Sequence, residues 1–256
     1  MNSTIIRVGQ GTLGFMHSEG GTPTYHPYPV KSGMSIAANL RTAFKEESFL
    51  VNGGSKAVLL VSSPTLLIPT SEFASYDNFD ADEVYGNVIT GHKGEKKILS
   101  DISELNATAI FPVNNDLHMV VSDHFPIVDT RNVMTGVWRY FYNHYYESGR
   151  QRRLFAYFHD KVVDICAFGQ HRIHFANTFP ATHAHDALYY TLFIWKQMGM
   201  SQTDDKLYIA GDMPHGDWLL KRYRTYLSHV STIDHNDSIP FDITLCEEHE
   251  HDEPCE

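Results

Sequence analysis

The sequence predicts a two-domain α/β protein in which both halves repeat one order of elements: three strands, a helix, a strand and a helix. Three observations support this fold class. The chain has 256 residues, more than the roughly 100 to 150 of a typical domain. Hydrophobic residues make up 42 % and charged residues 20 %, as in packed globular proteins. Apolar patterns of strand and helix type follow each other along the chain in the same order twice.

The first half begins with three short strands, expected at residues 5–8, 15–17 and 24–30, because glycine pairs separate these runs. Ser32 is expected to cap a helix that ends near residue 49. The continuous apolar run 57–61 predicts a strand that is buried on both faces. The further predicted elements are a short helix at 82–89, a strand at 108–113 and a helix that begins at Asn114 or Asn115.

The second half repeats this order after a helix at 133–148, whose apolar residues recur at helical spacing. The other predicted elements are strands at 153–159, 162–168 and 173–179, a helix at 184–198 capped by Thr182, a strand at 207–210, and a helix at 218–230 opened by Gly216 or Asp217.

Three antiparallel strands followed by alternating helices and parallel strands describe a ribonuclease-H-like unit. Two such units make up the actin-like ATPase architecture, so this is the fold that the element order predicts. We expect the first ribonuclease-H-like domain at residues 1–132 and the second at 133–246. The last ten residues, 247–256, are mostly acidic and have nothing to bury, which predicts a disordered tail.

Five short motifs add a family resemblance. They read LGF at 13–15, LIPTSEF at 67–73, FANTF at 175–179, HDALYYTLF at 185–193 and LYIAGD at 207–212. Together they resemble an uncharacterised bacterial family of unknown function that is grouped with the actin-like ATPases. The resemblance spans nearly the whole chain. It implies the actin-like fold but no known activity, because none of the motifs is a catalytic signature.

In that fold, the first hairpin turn of each half wraps nucleotide phosphates with backbone N–H groups. Such a turn needs glycine and a nearby aspartate that orients magnesium. The first-half turn has Gly11, Thr12 and Gly14, and Gly11-Thr12 resembles the end of the D-x-G-T signal of the ATPases, but Gly9 takes the aspartate position. A flexible hairpin turn without a ligand explains the same residues.

The second-half turn, at residues 158–161, contains no glycine. On the adenosine side, Gly211 before the last helix matches the fold's glycine turn, although the turn alone also requires a glycine. If a nucleotide binds, we expect Gly11, Thr12, Gly14 and Gly211 to contact it, with ATP and magnesium as cofactors. Otherwise the sequence predicts no cofactor.

The composition argues against several classes of function. Acidic residues outnumber basic ones by 31 to 20, and the resulting charge of −11 repels nucleic acid and anionic membranes. The longest mainly apolar run, 187–195, is far shorter than the roughly 20 residues that span a bilayer. Three cysteines without C-x-x-C spacing, and an N-terminus unlike a signal peptide, predict a cytoplasmic protein.

Neither a metal centre nor a catalytic nucleophile is expected. The rings of His183 and His185 would point about 200° apart at the start of a helix, so they share an ion only if that segment is extended. The pair His249 and His251 in the acidic tail predicts adventitious binding at most. Cys166 lies within a predicted strand, where a buried thiol is inert.

We interpret the chain as a degenerate actin-like protein that binds a protein partner or regulates assembly, with no catalytic residues. The alternative is a genuine ATP-binding ATPase or phosphotransferase. A third interpretation is a sensor of another small ligand in the cleft between the two halves.

Overall fold

The computed structural model describes residues 3–19, 22–51, 54–73 and 79–233. The chain divides into two compact units, and the division falls between Gly136 and Val137. We call the described residues up to Gly136 unit 1 and those from Val137 unit 2. The finer domain bounds predicted above stay predictions, and the predicted acidic tail at 247–256 lies outside the described residues.

Unit 1 carries the first predicted group of elements together with an insertion. Its described elements are β1 (Ser3–Val8), β2 (Leu13–Glu19), β3 (Thr22–Tyr28), α1 (Ile36–Glu46), α2 (Ser48–Val51), β4 (Lys56–Val61), β5 (Leu66–Pro69), α3 (Thr70–Phe73), α4 (Ala81–Val88), β6 (Lys96–Ile102), β7 (Ala107–Val113), α5 (Asn115–Ser122) and β8 (Ile127–Asn132).

The main sheet of unit 1 has the strand order β3-β2-β1-β4-β8. β1, β2 and β3 form an antiparallel meander, whereas β4 and β8 run parallel to β1. All five residues from Ala57 to Val61 are buried, which confirms the central strand that the apolar run predicted. One face packs against α1 and α5 through residues such as Ile6, Leu40 and Leu117.

The predicted start of α1 was wrong by a few residues. Ser35, not Ser32, is the N-cap, and its hydroxyl accepts a hydrogen bond from the backbone N–H of Ala38. Gly33 has a φ of +89°, so a helix cannot run through it from Ser32. α1 ends at Glu46, and the separate short helix α2 follows.

Between β4 and α5, the chain forms a second sheet with the order β5-β7-β6. α4 and β7 lie where the short helix and the strand were predicted, but β5, β6 and β8 were not predicted. β8 is the edge strand of the main sheet and reads IVDTRN, with only its last residue buried. A strand with so little buried surface leaves no clear period-2 pattern in the sequence.

Unit 2 repeats the arrangement of unit 1 without the insertion. α6 (Val133–Tyr145) crosses the division between the units, and the elements that follow it are β9 (Arg153–His159), β10 (Val162–Gly169), β11 (Arg172–Pro180), α7 (Ala184–Gln197), β12 (Lys206–Gly211), α8 (Gly216–Tyr226) and β13 (His229–Thr232). Their strand order, β11-β10-β9-β12-β13, matches that of unit 1 element for element.

The sheet of unit 2 is covered on both faces. α7 and α8 pack on one face, where the buried hydroxyls of Thr191 and Tyr223 lie 2.9 Å apart and both bond to the carbonyl of Ala187. α6 packs on the other face, where the ring of Phe141 stacks on that of Phe155 at 5.1 Å. Coverage of both faces explains why β9 and β10 are almost entirely buried.

The end of α8 is a second correction. The sequence predicted a helix at 218–230, but the helix ends at Tyr226, and the next residue, Leu227, is extended at φ −125° and ψ 130°. Val230 lies in β13, which pairs in parallel with β12. A single apolar residue four positions after Tyr226 fits helical spacing as well as a short strand, so the pattern alone could not separate them.

We predict that Gly211→Ala destabilises unit 2 by roughly 1 to 3 kcal/mol. Gly211 has a φ of +85°, and a Cβ there would lie 2.0 Å from the carbonyl oxygen of Phe158. The three tryptophans, Trp138, Trp195 and Trp218, all belong to unit 2, so urea unfolding followed by tryptophan fluorescence measures this change.

The matched control is Gly149→Ala, because a Cβ at Gly149 meets no atom within 4 Å and the backbone needs no positive φ. It should change the unfolding free energy by less than about 0.5 kcal/mol. Equal effects of the two substitutions would contradict the steric argument.

Candidate functional site

The hairpin between β1 and β2 holds three of the four predicted contact residues. Gly9 donates a backbone hydrogen bond to the carbonyl of Thr12 at 3.0 Å and closes a turn in which Gln10, Gly11 and Thr12 are exposed. Gly11 has a φ of +80° with open space around it. The turn therefore exposes a short stretch of backbone but carries no carboxylate at the Gly9 position.

Gly14 lies one residue into β2, beneath a neighbouring side chain. A Cβ at Gly14 would lie 2.6 Å from the ring of Tyr25 on β3. The absence of a side chain lets this ring cross the strand, so internal packing gives a reason for a glycine there without a ligand.

The hairpin between β9 and β10 is a two-residue turn formed by Asp160 and Lys161. Both have positive φ, 46° and 65°, as a type I′ turn requires. This agrees with the predicted tight, glycine-free connection. Two residues provide few free backbone N–H groups, so the turn cannot wrap a triphosphate as a glycine-rich loop does.

A charged cluster is buried at the base of this hairpin. The two ring nitrogens of His159 contact two carboxylates: Nδ1 lies 3.0 Å from Asp160 Oδ2, and Nε2 lies 2.5 Å from Asp164 Oδ2. Thr178, opposite Asp164 on β11, donates its hydroxyl hydrogen to Asp164 Oδ1. The side chains of His159, Asp160 and Asp164 are each less than a tenth exposed.

The two carboxylates hold His159 in its charged form. Burial by itself lowers the pKa of His159, but the hydrogen bonds to Asp160 and Asp164 and the charges of the two carboxylates outweigh it and raise the pKa to about 9. At neutral pH, both ring nitrogens therefore carry protons and donate them. The cluster then has one positive and two negative charges, and its histidine has no free lone pair with which to act as a general base.

Sequence reasoning named the hairpin but missed Asp164 and Thr178. The available signal was the position of Asp164 between Val163 and Ile165 in a strand that is otherwise apolar. A carboxylate in the middle of a buried strand needs a hydrogen-bonded or charged partner. The identity of the partners depends on strand register, which the sequence did not fix.

Gly211 lies at the end of β12, directly opposite Phe158 on β9. It has a positive φ, and a Cβ at this position would lie 2.0 Å from the Phe158 carbonyl oxygen, so packing alone favours glycine. The next residue, Asp212, donates its backbone N–H to the carbonyl of Phe158 at 3.0 Å. The close approach of the two strands at this point therefore depends on glycine.

A cavity of about 290 Å³ lies beside the first turns of α7 and α8. It is lined by His183, Ala184, His185, His215 and Trp218. His183 and His215 are the N-cap residues of the two helices, and neither side chain accepts a hydrogen bond from its helix. The first-turn N–H groups of both helices therefore have no acceptor from the cap side chain, which favours an anionic group, and Asp186 and Asp217 already place carboxylates in those turns.

The predicted absence of a metal centre stays a prediction. His183 precedes α7 and His185 lies in its first turn, where its ring contacts that of Trp218 at 4.6 Å. Within residues 3–19, 22–51, 54–73 and 79–233, no three His, Cys, Asp or Glu side chains are grouped so that they could hold a metal ion. His249 and His251 lie outside the described residues.

Cys166 is fully buried in β10, as predicted. Burial, together with the charge of Asp164, raises the pKa of its thiol well above the usual range. The protonated thiol is a poor nucleophile, so its burial agrees with the interpretation of Cys166 as inert, which stays a prediction.

None of the helices in the described part of the chain is long and apolar enough to cross a bilayer.

Comparison with known protein families gives a match over most of the chain. A family model described as protein of unknown function (DUF3822) matches residues 5–230. No curated protein matches the sequence.

Several solved structures resemble the chain over almost its full length. A Bacteroides thetaiotaomicron protein with an actin-like ATPase fold and unknown function is 19 % identical, with a TM-score of 0.84 over 96 % of this chain and 95 % of that chain. A chain of the PilM–PilN type IV pilus biogenesis complex is 11 % identical, with a TM-score of 0.58 over 95 % of this chain and 90 % of that chain. The ethanolamine utilization protein EutJ from Carboxydothermus hydrogenoformans is 10 % identical, with a TM-score of 0.50 over 96 % of this chain and 89 % of that chain.

These similarities show the fold, which is that of the actin-like ATPases. They confirm the predicted fold class and the resemblance to a family of unknown function with this fold.

We predict that the His159 cluster makes unit 2 less stable as the pH rises from about 6.5 to above 9. The pKa of His159 is raised on folding, so its stabilisation is fully present below the unfolded pKa of about 6.5 and is lost as the pH passes through the folded pKa of about 9. The expected loss is on the order of 3 kcal/mol. Urea unfolding by tryptophan fluorescence across this pH range measures it.

His159→Gln serves as the reference, because glutamine fills similar space but does not titrate. Its unfolding free energy should change less over the same pH range, and the difference between the two proteins isolates His159 from other titrating groups. Parallel pH profiles for the wild type and the variant would contradict the prediction.

Proposed function

We propose that this chain, which belongs to the DUF3822 family of proteins of unknown function, is a protein-binding or regulatory assembly module that does not hydrolyse nucleotides. In this proposal it has the actin-like ATPase fold, acts in the cytoplasm and carries a degenerate nucleotide site. One observation carries the proposal: buried carboxylates occupy the base of the second hairpin, where such a fold would hold phosphates.

The buried charges at this hairpin do not favour phosphate binding. The cluster of His159, Asp160 and Asp164 has a net charge of −1, and the exposed Lys161 in the turn brings the formal charge of the hairpin to zero. A triphosphate would add several more negative charges at the same place. Neighbouring like charges of this kind are strongly unfavourable where water is excluded.

The same carboxylates do not fit the magnesium role. A magnesium ion needs carboxylate oxygens, directly or through its bound waters, in near-octahedral geometry. Both oxygens of Asp164 already accept hydrogen bonds, from His159 and from Thr178, and Asp160 Oδ2 lies 3.0 Å from His159 Nδ1. On the first hairpin, Gly9 offers no carboxylate.

The glycines that resemble a nucleotide signature have other physical reasons to be present. Gly14 makes room for Tyr25, and Gly211 makes room for the Phe158 carbonyl. Gly11 has the positive φ of a turn. The fold's own packing is therefore sufficient to explain these residues without a ligand.

A protein partner agrees with one structural relative. PilM, which has a similar fold, occurs in a complex with PilN. The similarity concerns the fold, so we propose partner binding as a class of function and do not transfer the identity of the partner.

The second candidate is a genuine ATP-binding ATPase or phosphotransferase, and the cavity beside α7 and α8 favours it. Two helix N-termini without side-chain caps attract an anion. The ring of Trp218 lies at the same cavity, where it could stack on a base, and the guanidinium of Arg222 lies 5.4 Å from the centre of that ring. Such a ligand would bind at this cavity and at Gly211, without the phosphate loop of the second hairpin.

We predict that millimolar Mg-ATP leaves the thermal midpoint of the purified chain unchanged to within about 1 °C. A ligand at about a hundred times its dissociation constant adds roughly 2.7 kcal/mol, which would shift a chain of this size by several degrees. Differential scanning fluorimetry measures the midpoint, with Mg-GTP and magnesium alone as controls.

A shift of several degrees that is specific to Mg-ATP and that Trp218→Ala abolishes would establish the second candidate instead. Phosphate release from ATP, measured on the same preparations, would then distinguish an ATPase from a nucleotide-binding protein.

The partner-binding role has its own test, which is native purification of the full chain from its own host. We expect a second protein in a fixed stoichiometric ratio that stays bound through size-exclusion chromatography. A preparation that contains this chain alone under low-salt and physiological-salt conditions would contradict the role.

A further inference from the structure

Four aromatic rings form a connected row on the surface of unit 2, which we call the aromatic row. Phe179 on β11 stacks on Tyr190 of α7 at 4.8 Å, Tyr190 meets Tyr189 edge-on at 5.3 Å, and Tyr189 stacks on Phe193 at 5.8 Å. Tyr189 is 60 % exposed and Phe193 is 42 % exposed. The row thus runs from the edge of the sheet onto the outer face of the helix.

The strand at the base of the row is the outermost strand of its sheet. β11 has nine residues and pairs with β10 on one side, while no strand among the described residues pairs with its other side. Its outer edge therefore presents backbone N–H and C=O groups in the geometry of a strand ladder. At roughly 3.3 Å per residue the edge is about 30 Å long.

This surface is nearly neutral, although the chain has a charge of −11. Arg172, the first residue of β11, is the sole charged side chain in that strand at neutral pH, because burial and the nearby Arg172 lower the pKa of His174. On α7, the charged residues are Asp186 near the beginning and Lys196 near the end. Depletion of charge around exposed aromatic rings is the composition of an interface core.

We propose that a second copy of this chain occupies this surface and forms a two-fold dimer in which β11 pairs antiparallel with β11 of the other copy. The two sheets then continue into one, and the two α7 helices lie on the same side of it. An antiparallel strand pair has the two-fold symmetry of the commonest protein dimers. Arg172 of the two copies falls at opposite ends of the paired strands, so no like charges meet.

The charges on α7 fit a second copy better than they fit an unrelated helix. In two antiparallel α7 helices centred on Thr191, Asp186 of one copy lies opposite Lys196 of the other. The same symmetry places Tyr189 opposite Phe193 of the other copy, because both pairs are equally distant from Thr191 along the chain. The pairs Asp186–Lys196 and Tyr189–Phe193 therefore each form twice across the two-fold axis.

The test is sedimentation equilibrium of the full chain at concentrations on the order of 10 to 100 µM, a range that reveals interfaces of micromolar affinity. We expect a species with twice the 29.2 kDa mass of the chain. Tyr189→Glu and Phe193→Glu should each weaken dimerisation at least about tenfold, because each places two carboxylates beside the axis. A chain that stays monomeric throughout this range overturns the proposal.

The matched control is Tyr226→Glu, which changes a tyrosine on α8 that is 47 % exposed and lies outside the aromatic row. It should leave the dimer constant unchanged, and an equal loss in this variant would overturn the assignment of the surface. Thermal midpoints of all variants show whether they remain folded.

A charge exchange tests the two-fold arrangement itself. Lys196→Asp should weaken the dimer a few-fold, and adding Asp186→Lys to the same chain should restore it. If the double variant does not recover the dimer, the antiparallel packing of α7 is overturned.

Hydrogen exchange gives an independent measurement of the strand pairing. The β11 amides should become protected as the protein concentration rises, and protection that does not depend on concentration would overturn the pairing.

Discussion

The physical constraint on which unit 2 depends is the neutralisation of Asp164. This carboxylate sits in the middle of β10, in a sheet that helices cover on both faces, where an unpaired charge would cost several kcal/mol. His159 and Thr178 satisfy it from the two neighbouring strands, and Asp160 in the turn completes the pairing of His159. The cluster thus links β9, β10 and β11 in one register.

The proposed loss of nucleotide binding rests on the same cluster. An actin-like architecture supplies parallel strands, hairpin turns and helix N-termini, and these recur here in both units. Phosphate binding needs more than this geometry, because it depends on backbone N–H groups and on local positive charge. At the second hairpin the turn offers few N–H groups and the exposed cation of Lys161 adjoins two carboxylates, whereas the cap side chains of α7 and α8 accept no hydrogen bond from their helices. Architecture and site chemistry are therefore determined by different residues.

Strands with strong burial could be predicted from the sequence, as could the long edge strand β11, which has no buried residue, but short edge strands could not. The apolar run 57–61 predicted β4, and the nine residues of β11 were recognised almost in full. β8 and β13 were missed because they are short edge strands with mixed polarity. The His159 cluster was missed for a different reason, since its members come from three strands and only the register brings Thr178 opposite Asp164.

Two surfaces of unit 2 differ in local charge, and we propose that they differ in the ligands they accept. Counterions screen charges over about 8 Å at physiological ionic strength, so a partner responds to the local charge more than to the total of −11. The hairpin combines buried carboxylates with the exposed cation of Lys161, while the outer side of β11 and α7 is nearly neutral and carries exposed rings. Aromatic burial is not screened by salt, so contacts at the second surface should persist at ionic strengths that weaken purely electrostatic association. The neutral, ring-bearing surface therefore supports the proposal that this unit binds a protein surface.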